Sequence, residues 1–386
     1  MPRNSNALSP GSVYLRLRNA MENRRNAEYL MKPFTFQPVS FSWVALHPQP
    51  KGIIQFIGGA FFGSLPTLCY RHLLRELYDA GYTVVAMPFR FSFRHWGIAL
   101  SLLEEQRRLQ TYLPQLAAEV GYDTEVYHQS DRYAWLGHSL GCKYIALLEL
   151  LCGVELDPMD TTLDEVIGIR NAQWLRDRLA ASPSIWNQPT QLLAPDISDT
   201  TSAVPLKSLA HLLDKLGLGV RPTRQQTLAL IDRSRLFNLT AMVSFTHDTV
   251  AGSIQDPCPA TSDVLWLYQH LQAKQLIHAE LEGKHLEPLG VKVGHWLVDL
   301  NPLDKFAKPL TDWATRKTVL TFFHQLQHRE TESETVLEDL KPALAEVRAL
   351  IGTRSEPGLF SAEPSGLAVD LPETEGQAGA RAGAGQ

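Results

Sequence analysis

Short apolar segments alternate with longer amphipathic ones along the first 150 residues, and this alternation constrains the fold more than any other feature. Gly52 to Ile57 (GIIQFI), Tyr82 to Met87 (YTVVAM) and Tyr133 to Leu136 (YAWL) have the character of strands buried inside a parallel sheet. Two segments between these strands, Pro66 to Ala80 and Trp96 to Glu119, have apolar residues at helical spacing. This order predicts an α/β fold with a mostly parallel central sheet and helices on both faces.

The same order resumes later in the chain after a long interruption. From about Gly153 to Arg235 the sequence is mostly helical with prolines at its breaks, and we interpret it as a helical cap inserted over the sheet. Only Gln191 to Ala194 (QLLA) is a predicted strand within it. Further strands are predicted at Leu239 to Phe245 and Leu276 to Leu281, and further helices at Thr261 to Ala273 and Asp312 to Gln327.

These patterns divide the chain into four segments. Residues 1–40 form a predicted N-terminal extension, and residues 41–330 form the α/β domain with its insertion at about 153–235. Leucines and other apolar residues at helical spacing predict an amphipathic helix at 331–354. Residues 355–386 are rich in Gly, Ala, Pro and Glu, and we expect them to be disordered because they can bury little apolar surface.

Composition excludes several classes of protein. The formal net charge of −5 comes from 36 basic and 41 acidic residues with no block of one sign, which argues against a nucleic-acid partner. The four cysteines form no CxxC pair and have no histidine at zinc-like spacing, and we expect a reducing compartment. The predicted chemistry, described below, implies no metal or cofactor. The chain lacks a secretory signal and any apolar run near the roughly 18 residues of a membrane span, so we expect a cytoplasmic protein without a transmembrane segment. A single sequence leaves the oligomeric state open.

The pentapeptide Gly137-His138-Ser139-Leu140-Gly141 fits the G-x-S-x-G pattern of a serine nucleophile held in a strained strand-to-helix turn. Side chains two residues before and after the serine would collide in such a turn, and glycines relieve the crowding. YAWL supplies the strand before it and KYIALLELL the helix after it. We therefore predict that Ser139 is a nucleophile above the carboxyl edge of the sheet; the alternative is an ordinary glycine-rich turn.

A serine hydroxyl needs a base and an orienting acid, which follow it in this fold in the order Asp or Glu, then His. Asp248 comes directly after the predicted strand LTAMVSF, and His285 lies on a loop after the predicted strand QLIHAEL. Both order and placement agree, so we predict Asp248 as the acid and His285 as the base.

Other residues compete for these roles. Asp196 and Asp199 follow the shorter strand QLLA and are alternative acids, and His247 and His295 are alternative bases. His138 is predicted to be a packing residue beside the nucleophile.

An acyl-transfer site also needs backbone donors for the oxyanion. The N–H of Leu140, directly after the nucleophile, is one predicted donor. The loop Gly58-Gly59-Ala60-Phe61 after GIIQFI supplies the second, and we favour Ala60 over Gly59. The alternative is that these glycines merely turn the chain.

Aromatic residues cluster near the same parts of the sequence and predict an apolar acyl substrate. Arg90, Arg94 and His95 hint at a polar or anionic head group, although such residues more often form a solvated rim. The predicted pocket lining is Phe61, Phe62, Phe89 and Phe91.

Four segments, FIGGAFFGSLPTLCYRHLLRELYDAGYTVVAMPF, WLGHSLGCKY, SFTHDTVA and GKHLEPLG, together resemble the α/β-hydrolase-like family called domain of unknown function 1350, found in photosynthetic lineages. The resemblance spans about Phe41 to Gln327. It implies the α/β-hydrolase fold, carries the nucleophile, acid and base roles onto Ser139, Asp248 and His285, and adds the plastid stroma as an alternative location. It implies no substrate.

The sequence as a whole predicts a serine hydrolase, like a carboxylesterase, lipase or thioesterase, acting on a small-molecule ester or thioester of an apolar acyl group. The alternative from another class is a non-enzymatic binding or assembly protein that retains the fold. Within the enzymes, a cofactor-free lyase or peroxidase using the same three residues remains open.

Overall fold

A computed structural model describes residues 34–156, 161–179, 185, 187–197, 215–216, 218–234, 236–298, 307–309 and 313–329. All of these belong to one compact unit, Met1–Glu334, of the two into which the chain divides. The predicted amphipathic helix and tail lie outside the described residues, as does most of the predicted N-terminal extension.

The main sheet follows the order β1-β2-β4-β3-β5-β6-β7-β8. Strands β3 to β8 run parallel to one another. β2 pairs antiparallel with β4, and β1 pairs antiparallel with β2. The strands are β1 Gln37–Val39, β2 Ser42–Ala45, β3 Ile53–Ile57, β4 Thr83–Ala86, β5 Tyr133–His138, β6 Thr190–Leu193, β7 Thr240–Phe245 and β8 Ile277–Leu281.

The central strands are buried along their whole length because helices cover both faces of the sheet. Alternate residues of β3 enter different cores: Ile53 and Ile57 belong to one apolar cluster, Ile54 and Phe56 to the other. The apolar runs in the sequence therefore reflect two-sided burial.

The first cluster contains residues of most helices, and the second contains those of α2 and of the last helix. The helices are α1 Pro66–Cys69, α2 Arg71–Asp79, α3 His95–Glu119, α4 Leu140–Leu156, α5 Thr162–Ile167, α6 Ile169–Arg176, α7 Arg224–Arg233, α8 Asp263–Leu271 and α9, residues 314–329.

This strand order, with β2 reversed near one edge and helices on both faces, is the α/β-hydrolase fold, which confirms the predicted fold class. The predicted insertion contributes α5, α6 and α7, and the chain returns to the main sheet between α6 and α7 as β6.

Three details differ from the sequence predictions. The single predicted helix over residues 66–80 is broken at Tyr70, whose φ of −110° and ψ of 16° are not helical. β1 falls within the predicted N-terminal extension. A small antiparallel sheet of β9 Val291–Val293, β10 Trp296–Val298 and β11 Ala307–Pro309 was not predicted. Among the described helices, none is both long and apolar enough to span a bilayer.

Candidate active site

Ser139 occupies the turn between β5 and α4 with a φ of 53°, a backbone conformation that residues with a Cβ rarely adopt. The glycines two residues away are required by close approaches of backbone. A Cβ at Gly141 would lie 2.1 Å from the carbonyl oxygen of Ile57, and one at Gly137 would lie 3.0 Å from the Cα of Cys142. The sequence pattern is therefore a steric necessity of this turn.

Three side chains meet beside this turn in one hydrogen-bonded series. Ser139 Oγ lies 2.8 Å from His285 Nε2, and His285 Nδ1 lies 2.8 Å from Asp248 Oδ2. Because a carboxylate oxygen only accepts, His285 donates from Nδ1 and its Nε2 is left to accept the serine proton. This is the geometry that lets an imidazole remove a proton from a serine hydroxyl.

The loops that carry Asp248 and His285 are held together by an extension of the sheet. Beyond the ends of β7 and β8, the N–H of Thr246 donates to Leu281 O at 3.0 Å and that of His247 to Gly283 O at 2.9 Å. Asp248 and His285 thus emerge side by side from adjacent parallel strands.

The Asp248 carboxylate is fixed by a second set of donors. Its Oδ1 accepts the backbone N–H groups of Val250 at 2.8 Å and Ala251 at 2.9 Å, which leaves Oδ2 for the imidazole. The side chain is fully buried, while that of His285 is 11% exposed. The Asp248 carboxylate is therefore held in one orientation, and its Oδ2 in turn orients the His285 ring.

The structure describes three of the four competing acids and bases. Asp196 is buried and its backbone N–H donates to Ser139 O at 3.3 Å, but the carboxylate that contacts His285 is that of Asp248. Asp199 lies outside the described residues. His247 is exposed and contacts Thr246, and His295 is exposed between β9 and β10.

The predicted oxyanion donors differ in their availability. The Gly59 N–H donates to Tyr70 Oη at 2.8 Å, so it is already engaged. Among the described residues, the N–H groups of Leu140 and Ala60 donate to no other residue. Leu140 opens α4, where the helix dipole favours negative charge. The geometry therefore favours Leu140 and Ala60 over Gly59.

The residue after Ala60 adopts a strained backbone. Phe61 has a φ of 61° and a ψ of −54°, and the N–H of Phe62 donates across it to Ala60 O at 2.7 Å. This is the γ-turn with positive φ, which is rare and costs about 1–3 kcal/mol. Strain of this kind clusters at functional sites, and here it lies in the loop whose Gly59 packs against Ser139.

The strained turn presents an aromatic ring to solvent. The rings of Phe61 and Phe91 stack with centroids 5.6 Å apart and planes 10° apart, and the side chains are 68% and 45% exposed. Phe93 packs edge-on against Phe91 at 5.3 Å. We call Phe61, Phe91 and Phe93 the aromatic shelf.

Other residues of the predicted pocket lie deeper. Phe62 is half-buried against the second apolar cluster, and Phe89 is buried with its ring 4.8 Å from that of Tyr144. His95 is also buried, and desolvation lowers its pKa to about 2, so it adds no charge for an anionic head group.

Two residues near the site were missed or misjudged from the sequence. His138, predicted to be a packing residue, uses both ring nitrogens: Nδ1 lies 2.8 Å from Tyr70 Oη and Nε2 lies 2.8 Å from His285 O. Tyr70 lies in a segment that resembles the family, but nothing in the sequence assigned it a role, and only the three-dimensional structure reveals its contact. In the ranges that the structure describes, no group of three or more His, Cys, Asp or Glu side chains is arranged to hold a metal ion.

Part of the chain matches a known family of sequences. Residues 35–159 match the family described as "Protein of unknown function (DUF1350)", which confirms the resemblance over those residues. No curated protein matches the chain.

Solved structures provide a further comparison. The chain is similar to esterase B from Lactobacillus rhamnosis, with 14% identity, a TM-score of 0.46, and coverage of 84% of this chain and 97% of that one. For fungal esterases from Rhizomucor miehei the values are 11%, 0.41, 85% and 94%. At such identities the likeness carries no information about a substrate.

Proposed function

We propose that the protein is a serine hydrolase that cleaves an ester or thioester of an apolar acyl group. The observation that carries this proposal is the unbroken series from Ser139 Oγ through His285 to Asp248, with both contacts at 2.8 Å. The strained φ of Ser139 supports it further, because a serine with only a structural role needs no such turn.

In the proposed mechanism, Ser139 Oγ attacks the carbonyl carbon of the substrate while His285 Nε2 takes the hydroxyl proton. The carbonyl oxygen becomes an oxyanion that accepts from the N–H groups of Leu140 and Ala60. Asp248 holds the ring and stabilises the imidazolium.

Collapse of the tetrahedral intermediate breaks the bond to the leaving alcohol or thiol, which receives the proton from His285. Water then attacks the acyl-enzyme with His285 as base, and the acid leaves as Ser139 regains its proton.

The aromatic shelf supports an apolar acyl group. Phe61 directly follows the proposed donor Ala60, so a carbonyl oxygen bound there would bring its acyl chain near these rings. Leu65 and Leu68 add apolar surface in the same part of the chain and are 60% and 65% exposed. Apolar surface of this extent beside a reactive group fits a substrate without charge in its acyl part.

The proposal is tested by hydrolysis of p-nitrophenyl esters from acetate to dodecanoate. We expect turnover by the wild type, a loss of about 10⁶-fold in Ser139→Ala and His285→Ala, and a loss of about 10⁴-fold in Asp248→Asn, whose amide favours the wrong imidazole tautomer.

The chain contains a matched control for the serine. Ser244 is also buried and its Oγ contacts a histidine, His278 Nε2, at 2.9 Å and a carboxylate, Glu280 Oε1, at 3.3 Å, but it lies inside strand β7 and not in a strained turn. Ser244→Ala should retain wild-type turnover. Equal losses in Ser139→Ala and Ser244→Ala would contradict the proposal, and a folded wild type that hydrolyses no ester or thioester would favour a binding protein.

A further inference from the structure

A buried hydrogen-bonded series passes behind Ser139 and joins two loops. The Gly59 N–H donates to Tyr70 Oη at 2.8 Å, Tyr70 Oη lies 2.8 Å from His138 Nδ1, and His138 Nε2 lies 2.8 Å from the backbone oxygen of His285. Tyr70 and His138 are both fully buried. One end of the series is the loop of the proposed oxyanion donor Ala60, and the other is the backbone of the proposed base.

The donors and acceptors in this series can be assigned. The backbone oxygen of His285 only accepts, so His138 carries a proton on Nε2. Burial lowers the pKa of His138 to about 3, so the ring is neutral at pH 7 and its Nδ1 accepts from the Tyr70 hydroxyl. Burial also raises the pKa of Tyr70, which keeps the phenol protonated while its oxygen accepts from Gly59. Every hydrogen bond in the series therefore has one assigned direction.

We propose that Tyr70 and His138 are positioning residues that fix the Ala60 loop and the His285 loop relative to Ser139. The packing around them supports this role. A Cβ on Gly59 would lie 3.0 Å from Ser139 Cβ and 3.2 Å from His138 Nδ1, so the loop, the nucleophile and the hydrogen-bonded series, which we call the relay, are packed closely together. The positioning role also accounts for the break between α1 and α2. The break falls at Tyr70, whose backbone is not helical and whose hydroxyl contacts His138.

This inference rests on the proposed function for its kinetic consequences. A displacement of about 1 Å in a reacting group can cost on the order of 10²-fold in rate. Tyr70→Phe removes a donor and an acceptor but keeps the ring that packs 4.6 Å from Phe56. We expect its kcat on p-nitrophenyl butyrate to fall about 10- to 100-fold with KM little changed, because the reacting groups move while the acyl site stays.

Substitutions at position 138 separate positioning from packing. His138→Gln offers an amide oxygen to Tyr70 and an amide N–H to His285 O, so it should retain kcat within about tenfold, whereas His138→Leu should lose about 100-fold. The matched control is Tyr133→Phe, which removes a buried hydroxyl that donates to Tyr127 O at 2.9 Å at the other end of β5. It should lower stability and leave kcat unchanged.

A readout independent of activity keeps this inference distinct from the proposed function. In ¹⁵N-histidine NMR spectra at pH 7, the His138 signals, identified by their absence in His138→Gln, should show a protonated Nε2 and an unprotonated Nδ1. An Nδ1–H tautomer or a charged ring would overturn the relay even if esters are hydrolysed. Wild-type kcat in Tyr70→Phe, or equal kcat in the Gln and Leu variants, would overturn the positioning role.

Discussion

The local surroundings of each residue decide what a substitution at it does, and two glycines illustrate this. Gly141 packs against the backbone of Ile57, where any Cβ would collide with atoms that cannot rotate away. Gly97, in helix α3, has nothing within 4 Å of the position where a Cβ would lie. The same residue type is thus indispensable at one position and replaceable at the other.

We predict opposite effects of alanine at these two positions. Gly141→Ala should lower the free energy of unfolding by about 3 kcal/mol or more, because β3 and α4 must separate. Gly97→Ala should raise it by about 0.5–1 kcal/mol, since alanine loses less entropy in a helix. Urea unfolding of both variants measures these free energies. A Gly141→Ala protein with the wild-type free energy of unfolding would contradict the crowding at this turn.

At this scale the sequence predicted residues that follow from chain order and missed those that do not. Ser139, Asp248 and His285 could be named because each follows a recognisable strand, and parallel strands bring their carboxyl ends to one edge. Tyr70 could not, because its contact with His138 spans 68 residues and no local pattern encodes it.

At the scale of elements, the loop between β3 and α1 contains the proposed donor Ala60 and one ring of the aromatic shelf, Phe61, and the loop between β4 and α3 supplies the other two rings. Phe61→Ala and Phe91→Ala should reduce the preference for decanoate over acetate p-nitrophenyl esters by about tenfold, because apolar contact with the longer chain is lost. The free energy of unfolding should change by less than about 0.5 kcal/mol in each variant, since both side chains are exposed to solvent.

A matched control exists for the shelf. The side chain of Phe41 is 73% exposed, a fraction similar to that of Phe61, but Phe41 lies between β1 and β2. Phe41→Ala should leave the chain-length preference unchanged. An equal loss of preference in Phe41→Ala and Phe61→Ala would show that the shelf is not the acyl site.

Helix α4 contains a titrating group that should make stability depend on pH. Glu149 is buried and accepts the N–H of Phe237 at 3.1 Å, and desolvation raises its pKa from 4.5 to about 7. Between pH 4.5 and about 7, Glu149 is therefore protonated in the folded state but has released its proton in the unfolded state. Stability from this group is present below pH 4.5 and is lost as pH rises to about 7.

We predict that Glu149→Gln removes this dependence, because the amide oxygen still accepts from Phe237 but does not ionise. The difference in unfolding free energy between variant and wild type should be small at pH 5 and grow in favour of the variant by on the order of 2–3 kcal/mol at pH 8. Urea unfolding at several pH values measures it. Parallel pH curves for the two proteins would mean that Glu149 is not desolvated.

Elements with strong apolar runs were predicted closely from the sequence, and weakly patterned ones were not. β3, β4, β5 and β7 lie within a residue or two of their predicted positions because two-sided burial demands apolar runs. The edge strand β8 was predicted equally closely although its residues are only half-buried. β1 and the small sheet have three-residue strands, too short for a pattern to form.

At the scale of the whole molecule, the sheet converts distant sequence positions into one site. Ser139 follows β5, Asp248 follows β7 and His285 follows β8, so parallel pairing places all three at one edge. The sequence predicted a mostly parallel sheet but not its order, because pairing of β4 between β2 and β3 depends on contacts that no local pattern records. The reversed direction of β2 likewise emerges only from pairing.

The most direct measurement is covalent labelling with a fluorophosphonate followed by mass spectrometry of the peptides. A hydroxyl activated by His285 should carry the phosphonate adduct on Ser139, with no adduct in Ser139→Ala and very slow labelling in His285→Ala. Ser244→Ala should label like the wild type. A folded wild type without an adduct, or with the adduct on another serine, would contradict the proposal that Ser139 is an activated nucleophile.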